Sequence, residues 1–312
     1  MRKEAFIHGI YPRSIGLIAS GRGIDRGRVD LKKHRAQEEK DILEVINLQK
    51  LAGFTFVEDG KIRWHDAFRP IVESTEGMEV GPLTRWFDTN TFYRRPVITS
   101  SLEINLDKFD EFVPYLKGVK QKVTLPSPLI FAKMSTDLTT NDFGRTLITT
   151  SDLLGKIVSH LGDRGIKAVQ FNEPYLPYSG CEKRDINYLL NTLGQIDREK
   201  VETLILHFYF GDASLAIRAF TERANSVDIL GADFYKTNVS DLPTEFSRPI
   251  LAGVINVHST LLEERSAIEK FIDRLSKHAK PGILYLTHNS DLEFLPREFA
   301  NKKVKLLGDL IK

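Results

Sequence analysis

The sequence predicts an α/β fold, a single (β/α)8 TIM-type barrel over residues 1–312 with an insertion after strand two. Three observations carry this expectation. The chain has 312 residues, long for an average domain but suited to one α/β barrel. Eight short apolar runs recur along it, mostly continuous rather than alternating, as expected of parallel strands buried on both faces. Longer segments with helical spacing separate them. The rival, a doubly wound open sheet, often carries a Gly-rich phosphate turn after its first strand. Here the first strand runs into HGIYPRS, and the later SGRGID lacks a third glycine at the right spacing.

Strand one centres on residues 5–10. A basic run follows, with Arg22, Arg26, Arg28, Lys32, Lys33 and Arg35. It reads as a solvated face or as a site for a polyanionic tail. A helix is expected over 37–52, where Ile42, Val45, Ile46, Leu48 and Leu51 keep close to a 3.6 period and Gly53 stands just past the end. Strand two covers 54–57. Residues 61–127 are too long for one connecting helix. They contain EVGPLTRWFDTNTFYRRPVI, a Lys/Asp-rich helical stretch and a hairpin ending at Leu125-Pro126. They are expected as an insertion at the barrel mouth, where insertions serve substrate binding. Strand three is expected at 129–133. A helix over 150–161 opens on a Thr-Ser-Asp capping signal. Strands at 168–172, 203–210, 229–234, 250–256 and 283–288 follow, with helices at 184–193, 214–223 and 260–278.

Composition narrows the function. Lys and Arg total 44 and Asp and Glu 42, a net charge of +2, which argues against a general nucleic-acid binder. No stretch approaches the ~20 apolar residues of a membrane helix, and the basic N-terminus lacks a signal peptide's apolar run and cleavage site. A cytoplasmic location is the default. The one cysteine, Cys181, can form neither an internal disulfide nor a two-cysteine metal site.

Barrel chemistry collects at the C-terminal strand ends. The predicted ends carry His8, Asn172-Glu173, His207, Asp233, Asn256, His258, His288, Asn289 and Ser290. Histidine is the usual acid–base residue near neutral pH and a common metal ligand. Asn172-Glu173-Pro174 is the sharpest local feature. Proline ends the strand, and neighbouring side chains take opposite faces, so one of the pair points into the mouth. The alternative is a carboxylate that caps backbone amides. Trp86-Phe87-Asp88-Thr89-Asn90 and Phe92-Tyr93-Arg94-Arg95-Pro96 suit either a flat heteroaromatic ligand or an aromatic staple.

These segments resemble the cobalamin-independent methionine synthases. WFDTNTFYRRP resembles that family's WF-[DN]-TN-x-x-Y element, VQFNEPYL its QIDEPAL strand, LAGVINVHST its GVYDIHSP and AGLINGRN segments, and HGIYPRS its IGSFPQT loop. The order agrees from end to end. Full-length members have two related barrels. This chain has room for one, and it is similar to the single-barrel archaeal-type members, with WFDTN and YRRP pointing to the zinc-free N-terminal barrel. The resemblance implies transfer of a methyl group from methylfolate, or from a corrinoid, to homocysteine, whose thiol the family's zinc converts to thiolate. The family's zinc positions fall on His207, Tyr209, Asp233 and Ser290, without a cysteine. No metal is expected here, although His207, Asp233 and His288 could form a His/carboxylate set. The resemblance gives catalytic roles to His258, Glu173, His207 and Asp233. It gives substrate-binding roles to Asn172, Trp86, Asp88, Asn90, Arg28, Lys32 and Lys33. Asn172 stands where the family holds the homocysteine amine with Asp, and Asn256 also replaces an Asp. The expected partner is a zinc-bearing homologous barrel chain. The alternatives are a free-standing methyltransferase with a changed substrate and a non-catalytic folate- or corrinoid-binding barrel.

Overall fold

The computed structural model describes residues 2–223, 226–244, 246 and 248–312. The chain opens with β1 (Arg2–Ala5), α1 (Ile15–Asp25) and α2 (Leu31–Ala52). Then come α3 (Arg69–Glu73), a long hairpin of β2 (Thr75–Arg85) and β3 (Phe92–Ile104), and α4 (Leu106–Asp110). Next are β4 (Lys122–Pro126), α5 (Pro128–Met134), β5 (Thr136–Asp137), α6 (Phe143–Asp163) and β6 (Ala168–Glu173). The second half alternates: α7 (Tyr175–Tyr178), α8 (Lys183–Gln195), β7 (Thr203–Phe208), α9 (Ser214–Arg223), β8 (Ile229–Asp233), β9 (Ile250–Ile255), α10 (Arg265–Ala279), β10 (Ile283–His288) and α11 (Arg297–Leu310).

Seven strands form one parallel sheet in the order β1-β10-β9-β8-β7-β6-β4. Residues 55–57 join its two edges. Thr55 N donates to Ala5 O at 3.1 Å on one side. On the other, Val57 N donates to Lys120 O and Lys122 N to Val57 O, each at 3.0 Å. This segment takes the eighth position and makes a single parallel bridge, Val57 with Gln121. The hairpin pairs with β5 in a separate three-stranded sheet.

Strand one lies at Arg2–Ala5, earlier than the expected 5–10, and strand three moves as well. The run at 129–133 is not strand three but the body of α5. Ser127 caps that helix by accepting from Ile130 N, and Pro128 sits at its first position, a helix-start signal. The helix is buried around most of its surface, so no polar face betrays it. Strand three is β4, the last part of segment 61–127. Its Lys122 points into the barrel, and a charged residue there disguised the run. The helix expected over 150–161 begins at Phe143, with Asp142 as its cap. Thr150 lies inside it, and its hydroxyl donates back to Thr146 O at 2.9 Å instead of capping.

The barrel interior is layered. Phe6, Phe56, Ala168, Ile205, Ile229, Leu251 and Tyr285 form an apolar plug, separate from the larger core between strands and helices. Two residues further along the strands the inward positions turn polar: His8, Glu58, Thr124, Gln170 and His207, all buried. Gly231 keeps the β8 position small, since a Cβ there would lie 2.7 Å from the His207 ring. Lys122 Nζ is enclosed by Glu58 Oε1, Thr124 Oγ1 and Gln170 Oε1, each at 3.0 Å. From Gln170 the chain of hydrogen bonds climbs to Asn172 (2.8 Å) and then His8 (3.3 Å). His8 is tied to His288 both ways, its N–H donating to Nε2 at 3.1 Å and its Nε2 to the His288 carbonyl at 3.2 Å. A buried polar layer is stable only when its groups satisfy one another.

Candidate active site at the barrel mouth

A cleft opens at the C-terminal ends of the strands. Its walls come from Ile10 after β1, Lys61 after residues 55–57, residues 124–126 of β4, Asn172 of β6, Tyr209 after β7, and Asp291 and Glu293 after β10. The hairpin closes one side with Trp86, Phe92 and Tyr93, and the segment before α3 adds His65 and Asp66.

Of Asn172 and Glu173, Asn172 faces the cleft, on the same side of β6 as Ala168 and Gln170. Glu173 faces away, and the capping alternative describes it. Its Oε2 accepts from the Ser127 hydroxyl and, at 3.2 Å, from Ile130 N. Its Oε1 accepts from Leu176 N at 2.9 Å. Burial lifts its carboxyl to about 7, and those hydrogen bonds only partly oppose this. The folded state therefore holds this proton more tightly than the unfolded chain. The contribution to stability is complete below the ordinary Glu range and is lost as pH rises through about 7. Glu173→Gln should remove that component, and urea unfolding from pH 5 to 8 reads it: the wild type should lose stability relative to the variant as pH rises. Parallel pH profiles would contradict this.

The hairpin turn explains the WFDTN element. Trp86 N donates to Thr91 O at 3.0 Å, and the Thr89 hydroxyl to Trp86 O at 2.5 Å. Trp86 meets Phe68, Phe87 and Tyr93 edge-on, with ring centres 4.8–5.7 Å apart. It is both a staple and a cleft wall. Phe87 packs on Tyr178 and Phe210, and Asp88 accepts from the Tyr178 hydroxyl at 3.0 Å, so the turn is fastened across the mouth. Asn90 accepts from Arg85 at 3.4 Å on the exposed side. Arg28, Lys32 and Lys33 are exposed around the α1–α2 turn and line no part of the cleft.

His207 is fully buried inside the barrel, its ring 4.4 Å from that of His8. Burial and neighbouring His288 bring its pKa down to about 3, against an opposing pull from the Ala232 backbone. Neither ring nitrogen meets hydrogen-bond geometry with a described residue. Asp233 ends β8 and accepts from Tyr235 N at 2.8 Å; burial lifts its carboxyl to about 6. His258 lies on the loop after β9, stacked on Phe294 with ring centres 5.3 Å apart, its Nε2 3.3 Å from the Ser290 hydroxyl. Among the expected site residues, only Asn172, Trp86 and Tyr209 thus line the cleft. Cys181 is buried after α7 with its Sγ toward Asp212 O, and burial raises its thiol to about 11.

Zinc does not fit the donors at His207, Tyr209, Asp233 and Ser290. The Tyr209 hydroxyl donates to Asp291 Oδ2 at 3.1 Å, and burial holds it well above the usual phenol range. The Ser290 hydroxyl is engaged with His258. Neutral hydroxyls are poor replacements for thiolates. Among the described residues no three His, Cys, Asp or Glu side chains gather in a way that could hold a metal ion. No helix of the described residues is long and apolar enough to cross a membrane.

Sequence reasoning missed Lys61, His65, Asp66, Asp291 and Glu293. The Glu58-Asp59-Gly60-Lys61 run carried the same signal as Asn172-Glu173, polar residues directly after an apolar strand.

The profile of the family described as "Cobalamin-independent synthase, N-terminal domain" matches residues 67–280. The methionine synthase of Sulfolobus acidocaldarius is 23% identical over 306 residues, covering 95% of this chain and 87% of that protein. That of Sulfurisphaera tokodaii is 23% identical over 307 residues, covering 95% and 88%. Among solved structures, a B12-independent methionine synthase from a Shewanella species, in complex with selenomethionine, superposes with a TM-score of 0.75. It shares 13% identity and covers 99% of this chain and 96% of its own.

Proposed function

This chain belongs to the cobalamin-independent methionine synthase family, and from that premise we propose that it is a methyltransferase component that works with a separate zinc-bearing barrel chain. Together they pass a methyl group from methylfolate, or another donor, to homocysteine. The observation that carries the reading is the state of Tyr209 and Ser290. Their hydroxyls stand where the resemblance implies thiolates, and they are engaged with Asp291 and His258. A free thiol near its ordinary pKa of about 8.5 is mostly protonated at pH 7, so the nucleophile must be activated elsewhere.

In this proposal the chain's own residues bind and orient. Asn172 and Trp86 line the ligand cleft. Asp88 and Asn90 hold the hairpin turn that carries Trp86. As the methyl leaves the donor atom for the thiolate sulfur, the donor atom must recover a proton. His258, hydrogen-bonded to Ser290, handles it. Glu173, His207 and Asp233 act as positioning residues through the backbone and rings they pack against. Arg28, Lys32 and Lys33 offer an exposed cationic turn to an anionic donor tail.

Co-purification with a zinc-bearing homologous barrel tests the partnership. The proposal expects a complex and a higher rate for that homologue. A chain that stays alone and leaves the homologue's activity unchanged contradicts it.

A further inference from the structure

The loop after β9 carries His258, and polar contacts fasten it at both ends. On the outgoing side, Val257 N donates to Asn289 Oδ1 at 3.0 Å and His258 N to Asn256 Oδ1 at 2.9 Å. The returning side presents Leu261 and Leu262 to solvent, 77% and 50% exposed, so burial of apolar surface does little to hold it. A side chain from another element holds it instead. Lys303 of α11 donates its ammonium to Leu261 O at 2.7 Å and to Glu263 Oε1 at 2.8 Å. The same Glu263 oxygen accepts from Asn256 N at 2.8 Å. The loop is thereby closed at its neck, two residues before His258.

Lysine is an unexpected choice at this position. Lys303 is fully buried, in a helix whose other buried side chains include Ala300, Val304, Leu307 and Leu310. Burying an ammonium costs free energy that an apolar side chain of similar length avoids, so stability alone gives little reason for it. His258 is the group that gains. Its ring stacks on Phe294, and its Nε2 lies 3.3 Å from the Ser290 hydroxyl. Both partners belong to the segment after β10, so the ring meets them only while the loop backbone keeps its course.

We propose that Lys303 is a positioning residue for His258, its buried ammonium clamping the returning limb of the loop and, through Glu263, the outgoing limb as well. The catalytic use of His258 rests on the methyl-transfer reading; the clamp does not. Amide exchange of the full chain tests the clamp. Lys303→Met should speed exchange over residues 256–263 about tenfold or more while β9 stays protected. Glu263→Ala, at the less buried end of the pair, should do the same and serves if the lysine variant fails to fold. Unchanged exchange over that loop in either variant overturns the proposal. Methyl transfer in a mixture with the zinc-bearing homologue tests the positioning. Lys303→Met should lower kcat about tenfold or more and leave KM for homocysteine and methylfolate unchanged, because the loop lines no part of the cleft. In a chain that already carries His258→Gln, the same change should cost nothing further. An equal proportional loss in both backgrounds shows a general structural effect and overturns the positioning role. A loosened loop with no methyl transfer in any mixture keeps the clamp and removes the methyl-transfer reading. Transfer that Lys303→Met leaves unaltered keeps that reading and removes the positioning role.

Discussion

Replacing Lys122 with methionine is expected to lower the free energy of unfolding by about 3–5 kcal/mol, the cost of leaving a buried charge without its partner. Lys122 is 1% exposed and its ammonium is surrounded by Glu58, Thr124 and Gln170. Glu58 is equally buried and also accepts from the Thr124 hydroxyl at 2.5 Å. Removing the lysine strands that carboxylate above the apolar plug. The double replacement Lys122→Met with Glu58→Met should recover a large part of the loss, because the pair contributes less than its separation costs. Urea unfolding of the two single variants and the double variant measures this. Additive losses would show that the two side chains act independently.

Trp86→Ala is expected to cost about 3–5 kcal/mol, the usual range for truncating a large buried aromatic. Its ring meets Phe68, Phe87 and Tyr93. The hairpin lies outside the seven-stranded sheet, so the loss should concentrate there. Amide exchange over Phe92–Ile104 should accelerate while the barrel strands stay protected. Trp86→Phe should keep most of the protection. Ligand affinity should fall with the alanine variant, because the cleft loses a wall. Unchanged exchange in the hairpin would mean that Trp86 does not hold it.

Much of this architecture was legible in the residues, because a strand's period of two is strict. Once Ala168 and Gln170 face inward, Asn172 must face the mouth and Glu173 the surrounding helices. The hairpin turn was visible as a mixed aromatic element, although not as the point where the insertion is fastened. Strand three was hidden for a physical reason: its Lys122 is buried by partners 48 and 64 positions away, which no local pattern reveals. The α5 run misled in the opposite sense, since a helix buried on most sides carries the same apolar string as an inner strand. Two titratable residues of the cleft, Lys61 and Glu293, were hidden because they lie far apart in the chain. They come to one cleft only when the ring of strands brings residues 55–57 beside β1 and β1 beside β10.

The roles of Tyr209 and Ser290 bear most directly on function. Both hydroxyls are used in hydrogen bonds within the protein, and neither can lower a thiol's pKa as a metal–thiolate site does. The deciding measurement is the rate of methyl transfer from methylfolate to homocysteine by the pure chain, by a zinc-bearing homologous barrel and by the two together, with zinc determined in each sample. The account predicts background transfer by the chain alone, no zinc in it, and a mixture markedly faster than the homologue by itself. Full activity in the isolated chain, or a mixture no faster than the homologue alone, would contradict it.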